Sequence, residues 1–285
     1  MTDLADRRRY FSDELAICYN LRTPGLIEAL ATVPREDFLP PGPWMIQGAG
    51  DVGGQPRPTI DADPKHVLHN VSVAIDPARQ LFNGSPSVVV PAIDALGLAA
   101  GQRVLHVGAG LGYYTAILAD VVGPRGLVLA FEVDAALASG AAANLASRPH
   151  VSVVHGDASE VAGETFDAIF VSAGVTHPPI AWLDALAAGG RLVLPLTASM
   201  PQMRNIGKGW LLLLTKESDA SFTARPMTMV AIYSALGLRD DGMNAELGQA
   251  MQKTPFLRAL RLRRDPHDKG ADCWFHGPAF CFQQT

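Results

Sequence analysis

The chain has 285 residues, 48% apolar and 18% charged, with 27 glycines, 21 prolines and a formal net charge of −5. This is a globular composition with room for one large domain, or one domain and an appendage, and the negative balance argues against a nucleic-acid partner, whose phosphates need a dense basic surface. Cys18, Cys273 and Cys281 have no short paired spacing, so the sequence supports neither a zinc ribbon nor a disulfide framework.

The first residues lack an apolar signal core, and no uninterrupted apolar run reaches membrane-spanning length. No membrane association is expected, and the cytoplasm is the expected location. Residues 3–32 read as two helices, the second opened by Thr23-Pro24. The Gly- and Pro-dense stretch 40–65 reads as an irregular excursion. A helix is expected over 88–98, and then strands and helices alternate. The strands are expected at 104–107, 127–132, 151–155, 168–172 and 191–195, and the helices at 113–122, 135–146 and 180–187. That alternation predicts an α/β fold with a mostly parallel sheet covered on both faces. Two later apolar runs, 210–215 and 227–234, suit a closing antiparallel pair. The tail changes character, with a helix expected over 245–251, then a polar stretch and CWFHGPAFCF. The expected organisation is a helical N-terminal region with the Gly/Pro excursion (1–80), an α/β core (81–238) and a C-terminal extension (239–285).

VLHVGAGLGYYTA, residues 104–116, carries the chemistry. A strand feeding a glycine turn and then a helix presents backbone N–H groups and a positive helix end to the polar part of a nucleotide-like ligand. The dinucleotide fingerprint would need a third glycine where Tyr113 stands; here the glycines are Gly108, Gly110 and Gly112. That spacing favours S-adenosylmethionine over NAD, because the methionine moiety needs close backbone approach but no pyrophosphate cradle. Glu132 ends the second strand, 22 residues after Gly110, where a carboxylate accepts hydrogen bonds from ribose hydroxyls. Asp157 follows the third strand, where an acid can accept from an adenine amino group; each acid taken singly also suits a loop residue or helix cap. The expected cofactor shell is His106, Gly108, Ala109, Gly110, Gly112, Tyr113, Glu132, Val133, Gly156, Asp157, Ala158 and Ser172.

Several segments together resemble the protein-L-isoaspartate O-methyltransferase family. They are VLHVGAGLGY, Glu132, Gly156-Asp157-Ala158, FDAIFVSAG (166–174), GGRLVLPLT (189–197) and ALATVPREDFLP (29–40). The resemblance covers residues 1–42 and 80–235. It implies a Rossmann-like class I methyltransferase fold, S-adenosylmethionine as cofactor and a protein or peptide carboxylate as methyl acceptor. The acceptor side departs from the family's pattern. Counting back from Gly108 without gaps, Gly84 falls where the family carries a serine, Ser85 comes one place late, and His177 replaces an acid.

Methyl transfer from a sulfonium is an in-line displacement that depends on alignment. A carboxylate acceptor is already ionised at pH 7 and needs orientation and desolvation, not a base; an alcohol or amine usually needs its proton removed. Ser85 and His177 are therefore the candidate catalytic residues. Ser85 is read either as an acceptor-positioning hydroxyl or as a helix N-cap. His177 is read either as a base or orienting group, or as a loop residue before two prolines. His106 either accepts from the cofactor's amino group or lies hydrogen-bonded and inert in the sheet. No standard ligand motif links His66, His69, His267 and His276, so no metal site is expected. A small-molecule O- or N-methyltransferase and a cofactor-binding module without turnover are the competing functions.

Overall fold

The computed structural model describes residues 3–48, 55–161, 163–200, 203–254 and 256–284. The chain opens with α1 (Leu4–Tyr19) and α2 (Pro24–Thr32), followed by β1 (Met45–Gly48), β2 (Arg57–Pro58), β3 (Val71–Asp76), β4 (Leu81–Phe82) and α3 (Pro86–Ala95). The alternating part runs β5 (Arg103–Val107), α4 (Tyr113–Val122), β6 (Leu127–Glu132), α5 (Ala135–Asn144), β7 (Val151–His155), β8 (Phe166–Val171) and α6 (Ile180–Ala185). Then come β9 (Leu186–Met200), β10 (Met203–Ser218), β11 (Ser221–Tyr233), α7 (Asp241–Lys253), β12 (Leu260–Arg263), β13 (Cys273–Gly277) and β14 (Phe280–Gln284). The chain forms two compact units, one of residues 1–101 and 109–155, the other of 102–108 and 156–285. These boundaries differ from the three-part division expected from composition.

In the first unit the two N-terminal helices form as expected. The stretch 40–65 is not wholly irregular: β1 pairs antiparallel with both β2 and β3, and β3 pairs with β4. Trp44, Ile46, Val67, Val71 and Val73 form a small apolar cluster there. Glycine and proline density hides this pattern because β1 and β2 are short and β3, the other partner of β1, lies beyond the stretch. Residues 49–54 of the expected excursion lie outside the described residues. Further on, β6 and β7 run parallel with Glu132 opposite His155.

Arg35, from the VPRE segment, is fully buried. Its guanidinium donates to the carbonyls of Val67 (2.7 Å), His69 (3.1 Å) and Val71 (2.8 Å), and to Asn83 Oδ1 at 3.3 Å. The rings of Phe11 and Tyr113 flank it at 5.9 and 5.7 Å. The planar fork reaches four acceptors from two separated nitrogens, whereas an ammonium would have to reach them from a single nitrogen with three donors. Arg35→Leu is expected to lower unfolding stability by about 3–5 kcal/mol, with Arg35→Lys recovering only part of it. Urea unfolding checks this, and a loss under about 1 kcal/mol would contradict the anchoring role.

In the second unit the strand order is β13-β14-β12-β11-β10-β9-β8-β5. β5, β8 and β9 are parallel; the pairings from β9 outward are antiparallel. The strand expected at 191–195 extends to 15 residues and that at 210–215 to 16. The strand expected to end at Pro195 continues past it, and the Pro195 carbonyl accepts from Val175 N at 2.9 Å. The tail forms more than a loose appendage: β12 pairs with β11 and carries β14, so the polar stretch after α7 begins as a sheet strand.

Candidate active site

The expected site residues fall on both compact units. In the first unit, Gly110 and Gly112 have φ of 57° and 95°, left-handed values that a residue without Cβ adopts freely. Gly112 stands at the N-cap of α4 with no side-chain cap. The Glu132 carboxylate, 7% exposed, holds this turn: Oε2 accepts from Gly110 N at 2.8 Å and Oε1 from Asp134 N at 3.0 Å. Ala109 N donates to Phe131 O at 3.1 Å. The Tyr113 ring is buried, 5.9 Å from Phe38 and 5.0 Å from Tyr114, and burial pushes its phenol up to about 12. This position therefore brings its backbone, not its hydroxyl, to the turn. Val133 is exposed.

Ser85 occupies the N-cap of α3 but makes no side-chain cap bond. Its hydroxyl lies 2.9 Å from Ser87 Oγ instead. A Cβ on Gly84 would fall 2.4 Å from Val89 Cγ2, so a serine there requires Val89 to move. The Gly84 carbonyl accepts from Tyr114 Oη at 2.8 Å.

In the second unit, His106 is buried, with Nε2 3.1 Å from Ser172 Oγ and its ring 5.3 Å from Phe170. Burial lowers its pKa to about 3, so the imidazole is neutral at pH 7. A histidine depressed in the folded state contributes stability above its unfolded pKa, and that contribution drains as pH falls from about 6.5 towards 3. Between pH 7 and 5 the wild-type chain is expected to lose about 2 kcal/mol more than His106→Gln. Urea unfolding at the two pH values measures the difference; equal losses would contradict a neutral buried imidazole.

Gly108 has a left-handed φ of 84°. Ser172 N donates to Val107 O at 2.8 Å. Asp157 is exposed and caps the turn after Gly156 by accepting from Ser159 N at 2.6 Å. A Cβ at Gly237 would lie 2.8 Å from Asp157 Oδ2. Ala158 is buried, and its carbonyl accepts from Trp182 Nε1 at 2.7 Å.

His177 is half-buried, with Nδ1 3.0 Å from Thr176 Oγ1 and its ring stacked on Phe280 at 6.4 Å and 12°. Burial lowers its pKa, with Asp240 opposing. Asp240 N donates to Thr176 Oγ1 at 3.0 Å. Arg239 donates to the carbonyls of Gly174 and Thr197 at 2.9 Å each, and to Asn244 Oδ1 at 2.8 Å. The C-terminal segment is thus tied to the loop that carries His177. Sequence reasoning missed Arg239, Thr176 and Phe280, because their partners lie dozens of residues away and no spacing announces them. No metal site is expected from His66, His69, His267 and His276, which no ligand motif links. His66 and His69 lie in the first unit, whereas His267 and His276 meet Cys273 and Cys281 in the second.

Residues 66–235 match the profile of the family described as Protein-L-isoaspartate(D-aspartate) O-methyltransferase. The chain is 34% identical over 242 residues to Protein-L-isoaspartate O-methyltransferase 1 of Rhodopseudomonas palustris, covering 84% of this chain and 85% of that one. It is 33% identical over 252 residues to the protein-L-isoaspartate O-methyltransferase of Methylorubrum populi, covering 83% and 99%. Among solved structures, a protein-L-isoaspartate O-methyltransferase aligns with a TM-score of 0.64 at 23% identity, over 86% of this chain and 68% of that one. A second, from Plasmodium falciparum in complex with S-adenosyl-L-homocysteine and described as a protein-L-isoaspartate O-methyltransferase, aligns with a TM-score of 0.59 at 16% identity, covering 80% and 97%. The fold is the α/β, Rossmann-like one of the class I methyltransferases. Within that class, the chain belongs to the protein-L-isoaspartate(D-aspartate) O-methyltransferase family. Among the described residues, no helix is long and apolar enough to cross a membrane.

Proposed function

We propose that the chain transfers the methyl group of S-adenosylmethionine to a carboxylate of a protein or peptide, with an isoaspartyl residue as the acceptor. The observation that carries the reading is the Glu132 carboxylate fastened to the left-handed Gly110 turn by a 2.8 Å bond. The residues fit the cofactor: Gly110 and Gly112 leave backbone where any other residue would place a Cβ, and α4 opens without a side-chain cap. Bound S-adenosylmethionine supplies an electrophilic methyl on a sulfonium. Glu132 would accept from ribose hydroxyls with the lone pairs left by its two backbone bonds. The acceptor carboxylate is ionised at pH 7 and needs no base. His177, kept neutral by burial, orients it by hydrogen bonding.

Methyl-labelled S-adenosylmethionine incubated with the chain and acceptor proteins tests the chemistry. Base treatment is expected to release the label as volatile methanol, as a carboxyl ester does. A base-stable label would overturn the carboxylate reading. One observation favours a second reading, a small-molecule acceptor: a Cβ at Gly84 would fall 2.4 Å from Val89 Cγ2, so the side chain the family carries there would require Val89 to move.

A further inference from the structure

The hairpin of β13 and β14 gathers chemistry that methyl transfer does not use. His276 and Cys281 are direct cross-strand partners, which puts their side chains on one face. Cys273 is three residues before His276, an odd spacing that on a regular strand sends the two to opposite faces. The register slips between Cys273 and Phe275, so that Cys273 pairs with Gln283. This bulge returns Cys273 to the face of His276 and Cys281. His267 comes from the preceding loop, with Nε2 3.8 Å from Cys273 Sγ and its ring 4.9 Å from that of His276, at 89°. One ligand atom from each of the four residues lies within 4.8 Å of the other three.

We propose that His267, Cys273, His276 and Cys281 form a zinc site that braces the C-terminal hairpin. Two thiolates and two imidazoles are a donor set that selects zinc, and a tetrahedral zinc shell spaces such donors about 3.3–3.8 Å apart. The cluster needs to contract by about 1 Å at its widest to meet that shell.

The surroundings orient the ligands as a metal requires. His267 Nδ1 lies 2.8 Å from the Asp265 carbonyl. A carbonyl only accepts, so Nδ1 carries the proton and Nε2 keeps its lone pair for a metal, the usual outer-shell arrangement for a ligating histidine. Gly270 N donates to Cys273 Sγ at 3.3 Å, a bond that supports a thiolate. His276 Nδ1 is buried with no hydrogen-bond partner, a costly state for a ring nitrogen that a metal bond relieves. A hollow of 470 Å³ lined in part by Pro266, His267, His276 and Phe280 gives an ion access.

The brace has a consequence for the loop that carries His177. A Cβ at Gly277 would fall 2.3 Å from Phe280 Cε1, so the Phe280 ring lies across the hairpin at the residue next to His276. That ring stacks on His177. The proposed ion thus fixes the strand that supports a residue of the methyl-acceptor side, and it does so whether or not the acceptor is isoaspartyl.

The test is the metal content of the full chain, purified without a metal-binding tag from zinc-supplemented culture. About one zinc per chain is expected, lost in the Cys273→Ser/Cys281→Ser double variant and kept in Cys18→Ser. If the double variant fails to fold, cobalt(II) titration of the metal-stripped wild-type chain decides. Ligand-field bands of tetrahedral cobalt with a thiolate charge-transfer band are expected. Background zinc together with no tetrahedral cobalt spectrum would overturn the proposal. So would an intact mass two hydrogens short, with Cys273 and Cys281 joined in a disulfide.

Discussion

Gly110→Val is expected to weaken S-adenosylmethionine binding by about 100-fold or more, equivalent to ~2.7 kcal/mol. Gly110 has φ of 57°, a region where a β-branched residue is a strong outlier. A Cβ there already sits 3.4 Å from Ile75 Cδ1, and valine adds two further methyls at the turn. The substitution either forces the backbone out of the left-handed region or fills the space the ligand's polar atoms need. In the first case the Gly110 N–H leaves Glu132 as well. Isothermal titration calorimetry on a variant with native circular dichroism reads the effect, and unchanged affinity would contradict the placement of the donor site.

Glu132→Ala is the second large change. Removing the carboxylate leaves the N–H groups of Gly110 and Asp134 without the acceptor each now uses, at a position only 7% exposed. Hydrogen bonds to a charged group contribute about 1.5–3 kcal/mol each. The turn is expected to loosen and the ribose acceptor to vanish together, for a loss in affinity of about 100-fold and a loss in stability of about 2–4 kcal/mol. Glu132→Gln is expected to fall between, because its amide oxygen can serve only one side while its NH2 faces the other donor. Calorimetry and urea unfolding separate the two effects. Full affinity in Glu132→Ala would show that the carboxylate only shapes the turn.

Local signals made the glycine turn and the acid that holds it readable from sequence. Gly108, Gly110 and Gly112 sit between an apolar strand and an apolar helix, and strand periodicity fixed the end of β6 at Glu132, so chain order alone located a carboxylate near the turn. The helices α1 and α2 were legible for the same reason. Tertiary contacts decided what was missed. β1 and β2 are short, and β1 takes its longer ladder from β3 outside the Gly- and Pro-rich stretch, so composition outweighed alternation there. Pro195 suggested a strand end, yet the strand continues because the sheet uses its carbonyl. Arg239 looked like the start of a tail, but its guanidinium reaches carbonyls dozens of residues back in the chain. The spacing H-x5-C-x2-H-x4-C was present in the tail, but the metal reading needed the bulge at Trp274 to bring Cys273 round to His276, and no sequence pattern shows a bulge. Tyr113 reads as a cofactor-side residue from its place in the turn, and its ring packs against Phe38 and Tyr114.

The acceptor side decides the central claim. Gly84 stands where the resemblance places a serine, and His177 where it places an acid. The direct measurement compares methyl transfer from labelled S-adenosylmethionine to an isoaspartyl peptide and to the same peptide with a normal aspartyl linkage. The account predicts base-labile label on the isoaspartyl peptide and none above background on its aspartyl counterpart. Tight cofactor binding with both peptides unlabelled would contradict it.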